Sequence, residues 1–210
     1  MLTNMSVRLP GSFGSDQSNP NQGLLMPKLK YRFRVTFENF GVSTPRTELT
    51  KQVMDFTRPS VSFEEMVLDV YNSKIKLAGK HSWDDLTCNI RDDAGGNVSR
   101  LVGEQLQKQL DFMEQASAAS GIDYKFTTKF EVLDGGNGTY TPTSLETWEI
   151  YGCYLKAVNY GDMNYASSEA ATVAMTIAFD NAVQTPTGSD GAGVGATVGR
   201  TVGDVATGAG

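Results

Sequence analysis

Apolar residues at every second position constrain this chain more than any other feature of it. In KYRFRVTF, residues 30–37, Tyr31, Phe33, Val35 and Phe37 alternate with Lys30, Arg32, Arg34 and Thr36. A period of two puts the two sets on opposite faces of an extended segment, so this is a strand with one buried face. The same alternation predicts strands at Met66, Leu68 and Val70; at Ile75 and Leu77; at Tyr124, Phe126, Thr128, Phe130 and Val132; and at Val173, Met175, Ile177 and Phe179. Two further strands are expected in SWDDLTCNI (82–90) and SLETWEIYGCYLKAV (144–158), the second long enough to bend near Gly152.

One segment departs from this period. From Val98, the residues Leu101, Val102, Leu106, Leu110 and Met113 recur every three or four positions, which is a helical stripe. Asn97 is a candidate cap at its start, and Gly121 is expected to follow its end. Many short strands separated by Gly, Asn and Asp turns, with one helix midway, predict a mainly β fold. The expected architecture is an antiparallel β-barrel or sandwich with a flanking α-helix, closed or nearly closed, whose seam edges need partners.

Of the 210 residues, 28–184 carry these patterns and form one domain. Residues 1–27 are dense in Gly, Ser, Asn and Pro and predict an extended arm. Residues 185–210 are a Gly/Ala/Thr/Val mixture that predicts a tail without a core of its own. No run of about 18 apolar residues occurs and no basic-then-apolar leader opens the sequence, so folding in a cytoplasm without membrane insertion is the expectation. Cys88 and Cys153 lie 65 positions apart inside strand-like runs, which suits two buried thiols better than a disulfide framework. The net charge of -6 argues against a protein that grips nucleic acid, because such binding is driven by Lys and Arg replacing phosphate counterions.

Candidate chemistry is sparse. His81 is the only histidine, so arrangements that need several are excluded, and its place beside Trp83 reads as structural. Asp84, Asp85, Asp92 and Asp93 could pair as acid and base, but solvated turns account for them. DGGNG at 134–138 lacks the ordered ligands of a calcium loop and reads as a tight turn. Gly191, Gly193 and Ala196 fit G-x-G-x-x-A without the strand and helix a dinucleotide site needs. Glu104, Gln105, Gln107, Lys108, Gln109 and Asp111 form the polar face of the helix, either a wet surface or a subunit contact. No catalytic residue, metal site or cofactor is predicted.

Seven strings in a fixed order resemble the tail tube proteins of T4-like contractile-tailed bacteriophages. They are DVYNSKIKLAGKHSWDDL (69–86), RDDAGGNVSRLVGEQLQKQLDF (91–112), DYKF (123–126), LDGGNG (133–138), LETWEIYGCYL (145–155), NYGDMNYASSE (159–169) and TIAFDNAVQ (176–184). The resemblance is taken to cover the domain at about residues 28–184, and the two arms depart from the family's compact pattern. The resemblance implies a β-barrel with a flanking helix, six copies closing into a ring, and rings stacking into a tube inside a contractile sheath. It also implies kinship with the tubes of type VI secretion systems and contractile bacteriocins.

The implied role is structural: a virion protein forming the conduit for DNA ejection, assembled in the host cytoplasm. Its implied partners are further copies of itself, the tail sheath protein, the baseplate and tail terminator proteins, and, transiently in the lumen, the tape measure protein and genomic DNA. An acidic lumen would let DNA slide without counterion-release binding. The segment from about Thr50 to Lys80 is expected to form a long hairpin reaching the next ring, with Glu64, Glu65, Asp69, Tyr71, Asn72, Lys74 and Lys76 as stacking contacts. Contacts within a ring are expected from the helix, at Gln105, Lys108 and Gln109, and from the loop bearing Tyr160, Asp162, Asn164, Tyr165 and Glu169. Two alternatives compete with the phage conduit. One is the tube of a secretion or bacteriocin system; the other is a carbohydrate-binding β-sandwich displaying Tyr160, Tyr165 and Trp148. An enzyme is not expected, since no convergent polar site can be assembled.

Overall fold

The alternation in residues 30–37 becomes strand β1, Phe33–Glu38, with Val35 and Phe37 buried and Arg34 facing outward. In the computed structural model, which describes residues 28–43, 47–134, 142–186 and 193–194, the chain continues through α1 (Thr47–Gln52), β2 (Val53–Phe56), β3 (Val61–Val70), β4 (Ser73–Trp83) and β5 (Leu86–Arg91). Next come α2 (Asn97–Gln109), the short β6 (Leu110–Asp111) and β7 (Ala116–Ser117), and α3 (Gly121–Tyr124). The last strands are β8 (Phe126–Leu133), β9 (Ser144–Asn159), β10 (Thr172–Ala178) and β11 (Asn181–Pro186). DGGNG beyond Asp134, the arm 1–27 and nearly all of the tail 185–210 lie outside the described residues.

The main sheet runs β1-β8-β9-β10-β5-β2, every neighbour antiparallel, with β11 also paired to β9. Its organiser is β9. The first half of that 16-residue strand pairs with β8 and β11, up to Tyr151 opposite Asn181; the second half pairs with β10, from Tyr154 opposite Ala178. Gly152 separates the halves at φ +70°. A Cβ there would sit 2.2 Å from Asp180 Oδ2 and 2.7 Å from Asp180 Cγ, so both backbone and space require glycine. The expected bend is therefore a corner that carries the chain from one layer to the other.

The two layers close over one core, in which Phe56 stacks on Phe130 at 5.3 Å and Phe40 meets Phe126 edge-on at 4.9 Å. Both cysteines are wholly buried and unbridged. Burial pushes the Cys153 thiol up to about 11, and raises Cys88 as well, so neither is a poised nucleophile. The expected mainly β fold with a flanking helix is present, as an open sandwich rather than a sealed barrel: β1 and β2 end the hydrogen-bonded path without pairing with one another.

Helix α2 begins and ends differently from the expectation. Gly96, at φ +67°, holds the cap position, and Asn97 is already helical. Capping comes instead from Asp93, whose carboxylate accepts from the Val98 N–H at 3.1 Å and the Asn97 amide at 2.7 Å, while Asp92 accepts from Ser99 Oγ. At the other end, Asp111 accepts from the N–H groups of Met113 and Glu114, a local turn that competes with another helical turn. Leu110 is consequently extended and Met113 exposed, while Gly121 opens α3 rather than following α2. The strand predicted through Tyr124 starts only at Phe126, and that predicted over 82–90 breaks at Asp84–Asp85, where the chain crosses from β4 to β5.

Polar side chains fasten this helix to the sheets. Gln105 is fully buried; its Oε1 accepts from the Gly41 N–H at 3.0 Å and its Nε2 donates to the Tyr124 carbonyl at 2.6 Å. Gln109 grips the β9 backbone at one residue, donating to the Leu155 carbonyl and accepting from the Leu155 N–H, both at 2.9 Å. Glu104 accepts from the N–H groups of Val42 and Ser43. A second buried polar group, Glu146, accepts from Lys28, from Trp148 Nε1 at 2.6 Å and from Gln184 Nε2 at 2.8 Å. Burial alone would raise its carboxyl, but these three donors outweigh that and leave it below the usual carboxylate range.

Three outcomes are expected. Gly152→Ala loses about 2 kcal/mol or more of unfolding free energy in urea, from the left-handed backbone and the displaced Asp180. Gln105→Ala loses about 2 kcal/mol, because it strands the buried Gly41 N–H and the half-buried Tyr124 carbonyl. Because the Glu146 carboxyl is depressed on folding, its contribution is full above the ordinary carboxylate range and is lost as pH falls through the folded value. Urea midpoints should therefore drop between pH 7 and pH 3, with a shallower drop in Glu146→Gln.

Candidate assembly surface

Strands β3 and β4 stand apart from the main sheet as a two-stranded antiparallel ribbon. This is the expected hairpin with later bounds: it starts at Val61, not near Thr50, because Thr50 belongs to α1 and residues 53–56 pair with β5 as β2. All ten residues of β3 are exposed, as are nine of the eleven in β4. The ribbon thus lacks the packing partner that a strand with this much apolar surface requires.

Toward the turn its two faces are divided. Residues directly opposite in an antiparallel pair share a face, so the pairs Met66–Leu77 and Leu68–Ile75, with Val70, form one apolar face. Glu65–Ala78, Val67–Lys76 and Asp69–Lys74 form the other, where Lys76 meets Glu65 at 3.1 Å and Lys74 meets Asp69 at 3.7 Å. Simple alternation puts Val61 and Phe63 with the charges. A register shift between Phe63 and Glu65 adds one residue to β4, since Phe63 faces His81 while Glu65 faces Ala78, and it leaves Val61 and Phe63, opposite Trp83 and His81, on the side of Glu65 and Val67. Gly79 lies in this bulge, and a Cβ there would come within 3.0 Å of the carbonyl oxygen of Glu64 across from it. Ring contacts from Phe63 to His81, His81 to Trp83 and Trp83 to Phe179 tie the base of the ribbon to the body.

The structure gathers the seven candidate stacking residues onto this one ribbon. Glu64, Glu65 and Asp69 lie on β3, Lys74 and Lys76 on β4, and Tyr71 and Asn72 form the turn between them. Tyr71 is fully exposed and held in the left-handed region at φ 50°, an unusual position for a ring-bearing residue. Sequence reasoning missed Val61 and Phe63 as members of the same surface. Their two-residue spacing from Glu65 and Val67 is the signal that places them on the ribbon.

The candidates for contacts within a ring divide. Gln105 has no surface to offer a neighbour, being wholly buried, and the amide of Gln109 is spent on Leu155. Lys108 donates to the Asn39 carbonyl at 3.3 Å. Tyr160, Asp162, Asn164, Tyr165 and Glu169 are exposed on the loop between β9 and β10, braced by Asn159 accepting from the Gly161 N–H and Asn164 from the Ala166 N–H. Trp148 lies in the core with its indole N–H on Glu146, so the sugar platform of Tyr160, Tyr165 and Trp148 is not formed. Asp84, Asp85, Asp92 and Asp93 do not converge either: Asp85 pairs with Lys156, and Asp92 and Asp93 serve the start of α2. Among the described residues no group of three or more metal-binding side chains occurs, and no helix is long and apolar enough to cross a membrane.

No protein-family model matches the sequence, and no curated protein matches it. Solved structures do. A chain from the six-fold symmetrised baseplate of the anti-feeding prophage is 13% identical, with a TM-score of 0.54 over 79% of this chain and 100% of that one. A chain from the tube-terminating cap of the same particle is 15% identical, with a TM-score of 0.52 over 78% of this chain and 93% of that one. A chain from the extended sheath-tube complex of an extracellular contractile injection system is 14% identical, with a TM-score of 0.52 over 76% and 92%. The chain therefore has the tail-tube-like fold found in contractile injection systems.

Proposed function

We propose that this protein is a structural subunit of the inner tube of a contractile tail, with six copies closing into rings and the rings stacking into a hollow conduit. The observation that carries the reading is the β3–β4 ribbon: an exposed apolar face on a tail-tube-like fold needs a covering surface, and further copies of the chain supply one. The strings resembling T4-like tail tubes favour a phage, in which the conduit ejects genomic DNA past a tape measure protein. Sheath, baseplate and terminator are then its neighbours, and its location is the virion tail. The turn at Tyr71 and Asn72 is suited to reach an adjacent ring, and the Asn159–Glu169 loop, with Lys108, to contact a neighbour in the same ring. The role is non-catalytic.

The tube of a phage-like injection particle is the second reading, favoured because the similar solved structures come from such particles. Negative-stain electron microscopy of the purified full chain across a concentration series is the test. Rings of six or hollow tubes of uniform width are expected. Persistent monomers at the highest concentration would remove the conduit reading in both forms.

A further inference from the structure

The two strands of the ribbon differ in charge. β3 carries Glu64, Glu65 and Asp69 and no base; β4 carries Lys74, Lys76 and Lys80 and no acid. Only the inner edges are paired with one another, so the outer edge of each strand presents unpaired backbone N–H and C=O groups. One ribbon therefore has an acidic outer edge and a basic outer edge, three formal charges each.

Such an element can join copies in three ways. Two β3 edges related by a two-fold axis would set carboxylates against carboxylates, and two β4 edges would set ammonium groups against ammonium groups. Like charges directly opposite across strands are destabilising. The third way puts the β3 edge of one copy beside the β4 edge of the next, with all copies oriented alike. Since β3 and β4 run antiparallel within one ribbon, that juncture is antiparallel too, with the ordinary antiparallel hydrogen-bond pattern open to it toward the turn. It also leaves all apolar faces on the same side of the continuous sheet.

We propose that neighbouring copies pair head to tail through the acidic β3 edge of one ribbon and the basic β4 edge of the next, and that this charge difference excludes the two-fold alternatives. The proposal rests on the tube reading and sharpens it, since a head-to-tail contact closes into a ring while a two-fold contact stops at a dimer. It moves Glu64, Glu65, Asp69, Lys74 and Lys76 from contacts between rings to contacts within one, and leaves Tyr71 and Asn72 at the turn for stacking.

Three variants of the full chain test this. E64K/E65K/D69K makes both edges basic, K74E/K76E/K80E makes both acidic, and the six-site exchange combines the two sets. Assembly is followed by sedimentation velocity at low salt and by microscopy, with circular dichroism confirming the strand content. Each three-site variant alone is expected to assemble at least about tenfold less than the wild type. A one-to-one mixture restores assembly, because every junction then joins opposite edges; mixing cannot repair contacts within a ribbon.

The six-site exchange keeps the pairings of residues 65 with 76 and 69 with 74 in reversed sense, and so guards against simple misfolding. It is expected to assemble alone yet not to co-assemble with the wild type, since each mixed junction opposes like charges. Wild-type assembly by either three-site variant, no rescue on mixing, or random co-assembly of the exchange with wild type would overturn the edge pairing and leave the tube reading standing. A wild type that never assembles would overturn both.

Discussion

Everything in this fold depends on one long strand turning a corner. β9 belongs to both layers, and the turn at Gly152 lets the residues before it pair with β8 and β11 while those from Tyr154 onward pair with β10. A straight strand of that length would leave one half without a partner or force the layers into one flat sheet. The corner is supported from outside by Asp180, which receives Lys125 and fills the space a Cβ would need. With the corner set, Ile150 and Cys153 on either side of it enter the core, and β10 is positioned to carry β5 and then β2.

The helix is held by polar groups as much as by its apolar stripe. Val98, Leu101 and Val102 supply burial, at roughly 1.5–3 kcal/mol for a large aliphatic side chain. Burial is non-directional, however, and would tolerate small rotations of the helix. Gln105 and Gln109 add direction, because each uses both ends of its amide on named backbone groups from distant segments. Satisfied buried networks of this kind specify one arrangement, at the risk of a large penalty if any member is lost. Consequently, much of the helix's polar surface serves the subunit itself, and the proposed assembly surface falls to the ribbon and the loop after β9.

Much of the fold was legible from period alone, since β1, β9, β10 and the middle of α2 are long and strictly patterned. The failures have physical causes. The helix ends were missed because Asp93 and Asp111 act through local side-chain bonds that override the apolar stripe. Gln105 read as surface because a buried glutamine is recognisable only once its two backbone partners, 64 and 19 residues away, are brought beside it. Trp148 read as a possible platform for the same reason, its partner Glu146 being two residues away on a strand whose burial is decided by tertiary packing. The ribbon's charged residues were found, but Val61 and Phe63 at its base were not, because the extra residue in β4 that brings Trp83 and His81 opposite them shows only in the paired register.

An isolated two-stranded ribbon is marginal in water, and this one exposes apolar side chains along nearly its whole length. Two features let it persist before it finds a partner. Its base is anchored through Trp83 to Phe179 at 5.5 Å, which spares it the entropy of docking a free hairpin. Its outward-facing charges oppose indiscriminate pairing, the device by which natural sheets keep open edges from aggregating. The same charges are opposite in sign on the two edges, so protection against wrong neighbours and recognition of right ones rest on the same six side chains. A neutral ribbon would assemble without polarity, and a uniformly charged one would not assemble; the division of acid and base between β3 and β4 meets both demands.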